Sequence, residues 1–252
     1  MKLFIKIRYD GTRYAGYQVQ NNALTVQEVL NKALLDLFGF ECDITGCSRT
    51  DAGVHAHCFC ATVQKRGEAS LQSSIPCERI PFALNFRLPD DISVYYADWV
   101  DDDFHARYSV KSKTYEYHIL NTPFKNPFFV NRSYHFPKIL TDSDIERMQD
   151  AANNLCGRFD FSSFMASGSN VKDTVRNVYE CRVSKHNEEI VITITADGFL
   201  YNMVRIISGT LLEVGKGNID PAQVIPIIES QNRSLAGPTL PAHGLYLTDV
   251  KY

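Results

Sequence analysis

One stretch of the sequence concentrates side chains that can do chemistry, the twelve residues GCSRTDAGVHAH from position 46 to 57. It contains the carboxylate of Asp51, the guanidinium of Arg49, two imidazoles and a thiol. A carboxylate can act as a nucleophile, and imidazoles and thiols can bind a metal ion. An Asp followed by Ala and Gly is also typical of a simple polar turn. These three interpretations predict different functions, and the stretch alone leaves them open.

A metal site would use His55, His57, Cys58 and Cys60, because zinc favours nitrogen and sulfur ligands. In a strand, alternate side chains point to opposite faces. We therefore expect the two histidines on one face and the two cysteines on the other, so that the four side chains do not converge. A zinc nucleobase deaminase would also need H-x-E and P-C-x-x-C, whereas this sequence has H-A-H and no C-x-x-C pair.

Other enzyme classes lack their sequence signatures. There is no G-x-S-x-G elbow for a serine nucleophile. The glycines of DGTRYAG do not have the spacing of a phosphate-binding loop, and no dinucleotide-binding motif is present. The sequence therefore argues against an ATP- or NAD-dependent enzyme.

The composition is that of an ordinary globular protein. Of the 252 residues, 44% are apolar and 22% are charged. No apolar run approaches the length of a membrane span, and the N-terminus lacks the apolar core of a signal peptide. Seven cysteines without a C-x-x-C pair are typical of reduced thiols, so we expect a cytoplasmic protein.

The net charge of −3 does not indicate a nucleic-acid-binding protein, although binding needs only a local basic surface. Two local groups could supply one. They are Arg107, Lys111 and Lys113, and Arg158, Lys172 and Arg176. Charge alone does not distinguish such a surface from a set of solvated side chains.

The first part of the chain alternates strands and a helix. Residues 2–9 have the period of a strand, as do 57–63 and 92–99. Thr25 and Glu28 form a capping box that starts a helix, and Gly39 can end it.

A second round of elements follows. We predict a strand at 113–121 and a helix that starts at Thr141 or Asp142 and ends at Gly157. Two further strands should meet at a turn around Asn187. A helix covers FLYNMVRIISGTLLEVG, another starts at Asp220, and a last strand spans 245–250. The sequence therefore predicts an α+β fold of two similar strand–helix–strand halves, 1–105 and 106–252, with a largely antiparallel, continuous sheet and helices on one face.

Several long motifs, in order along the chain, match one known family. GCSRTDAGVHA resembles the active-site motif of the TruA-type pseudouridine synthases. The other matching segments are YDGTRYAGYQVQ with TVQEVLNKAL, NFRLPDDISV, FHARYSVKSKTYEYHI, FLYNMVRIISGTLLEVGKG and AGPTLPAHGLYLTDVKY. The resemblance implies an isomerase that converts uridine to pseudouridine in the tRNA anticodon arm, near positions 38–40. It also implies that the other face of the sheet forms an RNA cleft.

The resemblance assigns roles to individual residues. Asp51 matches the essential aspartate, Tyr115 the tyrosine that packs on the target base, and Arg205 the basic partner of the aspartate. Arg49 matches an arginine associated with base extrusion, and Leu245 matches a leucine that lines the pocket. RNA contacts are implied for two stretches, whose residues are Phe104, His105, Ala106, Arg107 and Tyr108, and Asn170, Lys172 and Thr174.

The sequence departs from the family pattern at a few positions. The family more often has Gly before the motif arginine, where this chain has Ser48. Tyr17 stands where Trp is common, and HCFCATV is unusual. The RTDAG core is intact, so the implied activity is retained, while the choice of substrate stays open.

The implied chemistry needs no cofactor and no metal, because moving a base from N1 to C5 of uracil requires neither redox nor phosphoryl energy. The implied partners are tRNA and a second copy of the chain, since the family is dimeric. Two alternatives remain: an RNA-binding protein that keeps the scaffold without catalysis, and a zinc deaminase that a chelator would inactivate.

Overall fold

The computed structural model describes residues 1–168 and 171–252. Within these residues, the strands are β1 (Lys2–Tyr9), β2 (Cys42–Gly46), β3 (His55–Lys65), β4 (Ile92–Val100), β5 (Ser112–Leu120), β6 (Tyr134–His135), β7 (Gly157–Asp160), β8 (Val175–His186), β9 (Glu189–Ala196) and β10 (Leu245–Lys251). The α-helices are α1 (Val26–Phe38), α2 (Ile80–Asn85), α3 (Asp142–Asn153), α4 (Met203–Gly215) and α5 (Val224–Glu229). Most strand pairs are antiparallel, which confirms the predicted α+β class.

The chain forms two compact units. Unit 1 comprises Met1–Lys111 together with Tyr246–Tyr252, and unit 2 comprises Ser112–Leu245. The sequence placed the division between residues 105 and 106 and grouped the last strand with the second half. In the structure, the last strand belongs with unit 1 because it pairs with β3.

Unit 1 is built on the strand order β4-β1-β3-β10, and β2 also pairs with β3. The pairs are antiparallel except for β3 and β10, which run parallel. The alternation of β1 is confirmed, since Leu3, Ile5 and Ile7 are completely buried. The side chains of Lys6 and Arg8 therefore point to the opposite face.

Helix α1 begins where the sequence predicted. The Thr25 hydroxyl accepts a hydrogen bond from the Glu28 N–H, and Gly39 ends the helix in the left-handed conformation with φ 75°. Its buried residues repeat at helical spacing: Val26, Leu30, Ala33 and Leu34.

Unit 2 has the strand order β5-β9-β8-β7, all antiparallel, with β6 parallel to β5. The turn between β8 and β9 contains Asn187 at φ 53°, as the sequence predicted. Helix α3 begins with a capping box between Thr141 and Asp144. The prediction that Gly157 ends this helix is wrong, because Asn154 is its C-cap and Gly157 starts β7.

Helix α4 contains Gly209 in its interior, where glycine costs about 1 kcal/mol relative to alanine. The structure explains its presence. A Cβ at this position would lie 1.9 Å from the Pro238 carbonyl oxygen. Gly209 therefore allows the segment around Pro238 to pack directly on the helix backbone.

Within the described part of the chain, the structure contains no helix that is both long and apolar enough to span a membrane.

Candidate active site

Asp51 lies in the turn between β2 and β3, and the residue is half-buried. Its backbone carbonyl accepts a hydrogen bond from the Val54 N–H at 3.2 Å, and Gly53 has φ 79°. The segment is therefore a turn, as the polar-turn interpretation expected. That interpretation concerns only the backbone and does not decide the role of the carboxylate.

The end of β1 and the segment that follows it fix this turn. The Tyr9 hydroxyl lies 2.7 Å from Thr50 Oγ1, and the Gly11 N–H donates to His55 Nδ1 at 3.0 Å. A Cβ on Gly11 would lie 2.0 Å from the Val54 carbonyl oxygen, so this close approach requires glycine. The chain on either side of Asp51 is thus anchored, through Thr50 to the end of β1 and through His55 to the segment directly after it. Such anchoring holds a catalytic group in one geometry before substrate arrives.

The metal interpretation rested on strand alternation, and a β-bulge changes that argument. Between two neighbouring pairs of the β1–β3 ladder, β1 contributes only Arg8, whereas β3 contributes His57 and Cys58. The extra residue shifts the alternation, so His55, His57, Cys58 and Cys60 all lie on the same face. The prediction that the histidines and cysteines face opposite ways is therefore wrong.

These side chains have other partners on that face. The rings of His55 and His57 both stack on Tyr246, with centroid distances of 4.6 and 5.1 Å. A hydrogen bond with Cys60 lowers the pKa of the Cys58 thiol to about 6, although burial opposes this shift. Over residues 1–168 and 171–252, no three His, Cys, Asp or Glu side chains are grouped so that they could hold a metal ion.

In the predicted RNA-contacting stretch of unit 1, residues 104–108, some side chains pack against the rest of the unit and others are exposed. Phe104 packs against Phe4 and Tyr252, with ring centroids 5.6 and 4.9 Å apart. Ala106 is fully buried, and its carbonyl oxygen accepts a hydrogen bond from the Tyr252 hydroxyl at 2.8 Å. These residues hold the stretch in place: Ala106 is buried completely, whereas Phe104 is half-buried.

His105 shapes the rest of the stretch. Its Nδ1 accepts hydrogen bonds from the N–H groups of Arg107 and Tyr108, at 3.1 and 3.2 Å. Its ring also stacks on Tyr108 with a centroid distance of 4.3 Å. Burial lowers the pKa of His105, and the charges of Arg107 and Lys2 lower it further. The neutral ring that these bonds require is therefore favoured.

A groove of about 280 Å³ brings Arg49 together with His105, Arg107 and Tyr108. Its two guanidinium groups suit it to a phosphodiester. Tyr17 also lines this groove, and its ring stacks on Phe59 at 4.1 Å. Among the described residues its buried hydroxyl has no hydrogen-bond partner. The sequence had identified Tyr17 only as a departure from the family pattern.

In unit 2, Tyr115 lies in β5 opposite Ile194 of β9 and is 6% exposed. Its ring makes an edge contact with Phe199, at a centroid distance of 5.1 Å. Leu245, also buried, follows the short 3-10 helix Ala242–Gly244. Both side chains are thus firmly placed, as contacts with a flat base would require.

Arg205 lies in the first turn of α4. Its Nε donates to the Leu240 carbonyl oxygen at 2.7 Å, and its Nη1 donates to Asn202 Oδ1 at 2.7 Å. Neither partner was predicted from the sequence, because nothing in the local pattern connects Leu240 with Arg205.

The second RNA-contacting stretch is described in part. Lys172 is exposed, and the Thr174 carbonyl oxygen accepts a hydrogen bond from the Phe161 N–H at 3.0 Å. Asn170, the other predicted contact, lies outside the described residues.

Comparison with known proteins identifies the family. A family model described as tRNA pseudouridine synthase matches residues 5–109 and 151–252. The tRNA pseudouridine synthase A of Thermoanaerobacter sp. (strain X514) is 47% identical over 250 residues, which cover 99% of each chain. That of Bacillus pumilus (strain SAFR-032) is 42% identical over 257 residues, covering 100% of this chain and 99% of the relative.

Among solved structures, a chain in a crystal structure of a Cbf5-Nop10-Gar1 complex aligns with a TM-score of 0.37 and 12% identity. The alignment covers 84% of this chain and 44% of that one. The family model and the near full-length relatives carry the assignment that the RTDAG turn suggested: this chain belongs to the tRNA pseudouridine synthase family.

Proposed function

We propose that this protein isomerises uridine to pseudouridine at positions 38–40 of the tRNA anticodon arm, with Asp51 as the nucleophile. The observation that carries the proposal is the anchored RTDAG turn in a chain of this family. As a member of that family, the chain is an isomerase. The names of its relatives support tRNA as the substrate.

The reaction moves one bond and consumes nothing else. The bond between ribose C1′ and uracil N1 breaks, the base turns, and a bond between C1′ and C5 forms. The C5 proton then leaves and N1 gains a proton, so the product has the composition of the substrate. A carboxylate supports these steps by adding to the nucleoside or by stabilising a cationic intermediate.

The target nucleotide must leave its stack before the carboxylate can reach it, which costs a few kcal/mol. We assign this step to Arg49, which takes the space of the extruded base. Stacking on an aromatic ring returns about 1–3 kcal/mol, and we assign it to Tyr115. Leu245 lines the apolar part of the pocket, and Arg205 supplies the positive charge that favours the ionised form of Asp51.

The groove of unit 1 fits the part of the RNA that does not react. Arg107 lines it, and a guanidinium binds phosphodiester oxygens in bidentate fashion. Contacts of this kind set the position of an RNA strand without reading its sequence. We assign the same role to Lys172 and Thr174, together with Asn170.

Two further assignments rest on the family resemblance. We propose that the protein acts as a homodimer and that it works in the cytoplasm, where tRNA is modified. Sedimentation of the purified protein in the presence and absence of tRNA would establish the first assignment.

The function is tested with an unmodified transcript of a tRNA that has uridines in the anticodon arm. The wild-type protein should form pseudouridine, mapped chemically at single-nucleotide resolution, only at positions 38–40. Transcripts in which each of these uridines is replaced by cytidine identify the individual targets. Tight binding without any pseudouridine would instead support the non-catalytic RNA-binding alternative.

A further inference from the structure

The guanidinium of Arg205 is held at two points by groups of unit 2. The Leu240 carbonyl oxygen accepts from Nε, and the Asn202 side-chain oxygen accepts from Nη1, both at 2.7 Å. The two bonds use two of the five N–H donors of the guanidinium. Two bonds on adjacent nitrogens fix both the plane of the group and its rotation, whereas one bond alone fixes neither.

The first of these acceptors is held in a fixed position. The segment that contains Leu240 packs against α4, where Gly209 allows the Pro238 carbonyl to approach the helix. The Gly237 N–H donates to Thr210 Oγ1 at 2.8 Å, and this bond is buried. The Leu240 carbonyl is thus part of a rigid element.

The second acceptor, the side-chain oxygen of Asn202, does not have the role that is usual at its position in the helix. Asn202 occupies the N-cap position of α4, where an Asn side chain normally accepts a hydrogen bond from the helix backbone. Here it makes no such capping bond, and its backbone is left-handed with φ 60°. The side-chain oxygen is directed at Arg205 instead, at the cost of the cap that it would otherwise provide.

We propose that Asn202 is a positioning residue for the isomerisation, because it fixes the orientation of the Arg205 guanidinium. The inference rests on the proposed role of Arg205, which is to present positive charge to the reacting carboxylate. A guanidinium that rotates freely has its N–H groups directed at the carboxylate in only a fraction of its orientations. Removing the Asn202 side chain should therefore lower the rate of the chemical step more than the affinity for tRNA, because substrate binding uses many other contacts.

The test uses Asn202→Gly, because glycine adopts φ 60° without strain and removes only the side chain. Its matched control is Asn187→Gly, which makes the same change at a left-handed residue in the exposed β8–β9 turn, where φ is 53°. Asn202→Asp keeps an oxygen acceptor in the same place and serves as the conservative variant.

Single-turnover rates and tRNA dissociation constants would be measured for all three variants. We expect Asn202→Gly to lower the rate constant between about 10- and 100-fold while the dissociation constant changes less than about 3-fold. Asn202→Asp should recover part of the lost rate, and Asn187→Gly should match the wild type. A rate for Asn202→Gly equal to that of the wild type overturns the proposal, as does a loss that appears only in tRNA binding.

A second readout does not depend on activity. In nuclear magnetic resonance spectra of the wild type, the Nη signals of Arg205 should be resolved, because hindered rotation keeps the two nitrogens distinct. They should merge in Asn202→Gly and stay resolved in Asn202→Asp and Asn187→Gly. Resolved signals in Asn202→Gly would show that Asn202 does not orient the group. A wild-type protein that forms no pseudouridine would instead overturn the proposed function itself, and the role of Asn202 with it.

Discussion

The hydroxyl groups of Tyr9 and Thr50 lie 2.7 Å apart in the interior of unit 1. This bond connects the end of β1 to the residue directly before Asp51, so a strand of the core sets the position of the turn that carries the proposed nucleophile. We expect Tyr9→Phe to destabilise the protein by about 1 kcal/mol, the usual net value of such a bond. Turnover should fall by a larger factor than this loss of stability explains, because Asp51 is less firmly held.

The comparison for that variant is Ser163→Ala, which removes a buried hydroxyl bond to the Ile227 carbonyl oxygen in unit 2. Thermal unfolding and single-turnover rates would be measured for both. Similar losses of stability with a loss of turnover only in Tyr9→Phe support the anchoring role. Equal turnover in the two variants would contradict it.

Asp51→Asn should abolish turnover while the fold and most of the tRNA affinity remain. The substitution keeps the shape of the side chain and removes the anionic oxygen that can act as a nucleophile. Chemical mapping of pseudouridine after long incubation is the measurement. Product formation near the wild-type rate by a variant of verified sequence would end the assignment of Asp51.

Substitutions of Tyr115 can separate what its aromatic ring and its hydroxyl contribute to stability, binding and catalysis. Since the residue is 6% exposed and packs on Phe199, Tyr115→Ala should lose about 3–5 kcal/mol of stability and is uninformative about catalysis. Tyr115→Phe keeps the ring and the packing. We propose that the Tyr115 hydroxyl, besides the stacking by the ring, takes part in removing the C5 proton, and therefore expect this variant to fold and to bind tRNA normally but to form little pseudouridine.

The exposed Tyr179 of β8 provides the control, since Tyr179→Phe makes the same chemical change away from the site. Full activity in Tyr115→Phe would remove the proton-transfer role and leave the ring as a stacking surface.

We expect the affinity for tRNA to depend on pH through the protonation of His105. Its Nδ1 must be unprotonated to accept from Arg107 and Tyr108, and burial lowers its pKa in the folded protein. A folded-state pKa below the unfolded value, about 6.5, means that the stabilisation is present above that pH and is lost as the pH falls through the folded pKa. We therefore expect tRNA affinity to decrease on acidification below about pH 6.5.

His105→Asn keeps an acceptor but cannot become charged, so its affinity should change less over the same range. Dissociation constants at constant ionic strength would be compared. Protonation also adds positive charge, which by itself strengthens RNA binding. The comparison with His105→Asn isolates the effect of the ring, and the same pH dependence in both proteins would show that binding does not depend on the protonation state of His105.

Arg107→Ala should weaken tRNA binding and reduce the slope of log K against log salt by about one unit, the effect of one lost phosphate contact. Arg66→Ala is the matched change, because Arg66 is an exposed arginine of unit 1 that pairs with Asp43 at 3.3 Å. It should leave the slope unchanged. If both changes affect the slope equally, the groove does not bind phosphate.

Local patterns in the sequence predicted the main elements of the fold. The period of two identified β1, β8 and β9, and the capping residue Thr25 marked the start of α1. Helix α2 was missed because it has only six residues and contains a proline. The bulge in β3 was missed for a different reason: the partner strand decides where an extra residue is accommodated.

In the candidate site, too, the sequence predicted some features and missed those that depend on distant parts of the chain. The motif located Asp51, and the resemblance gave the positions of Tyr115 and Arg205. Their supports come from distant parts of the chain and carry no local signal. His55 is an example, since the sequence made it only a candidate metal ligand, and argued against that role, whereas the structure shows it accepting a hydrogen bond from Gly11. Asn202 is another, because it lies inside the predicted helix FLYNMVRIISGTLLEVG, whereas the structure places it at the N-cap of α4 with its side chain bonded to Arg205.

The return of the chain to unit 1 in β10 also sets an order of events during synthesis. All of unit 2 is translated before the seven residues 246–252 that complete unit 1. At about 5–20 residues per second, synthesis of unit 2 delays the last strand of unit 1 by roughly 7 to 27 seconds. Throughout that time the 104–108 stretch lacks its hydrogen bond from Tyr252.

A ribosome-bound chain that stops at residue 245 should therefore present an unfinished groove and bind tRNA poorly, whereas the released protein binds it well. The arrested chain and the released protein would be compared for tRNA binding, with ribosomes that carry an unrelated nascent chain as the control for tRNA bound by the ribosome itself. We therefore expect the chain to gain its affinity for tRNA only after it leaves the ribosome, which itself binds several tRNA molecules during synthesis.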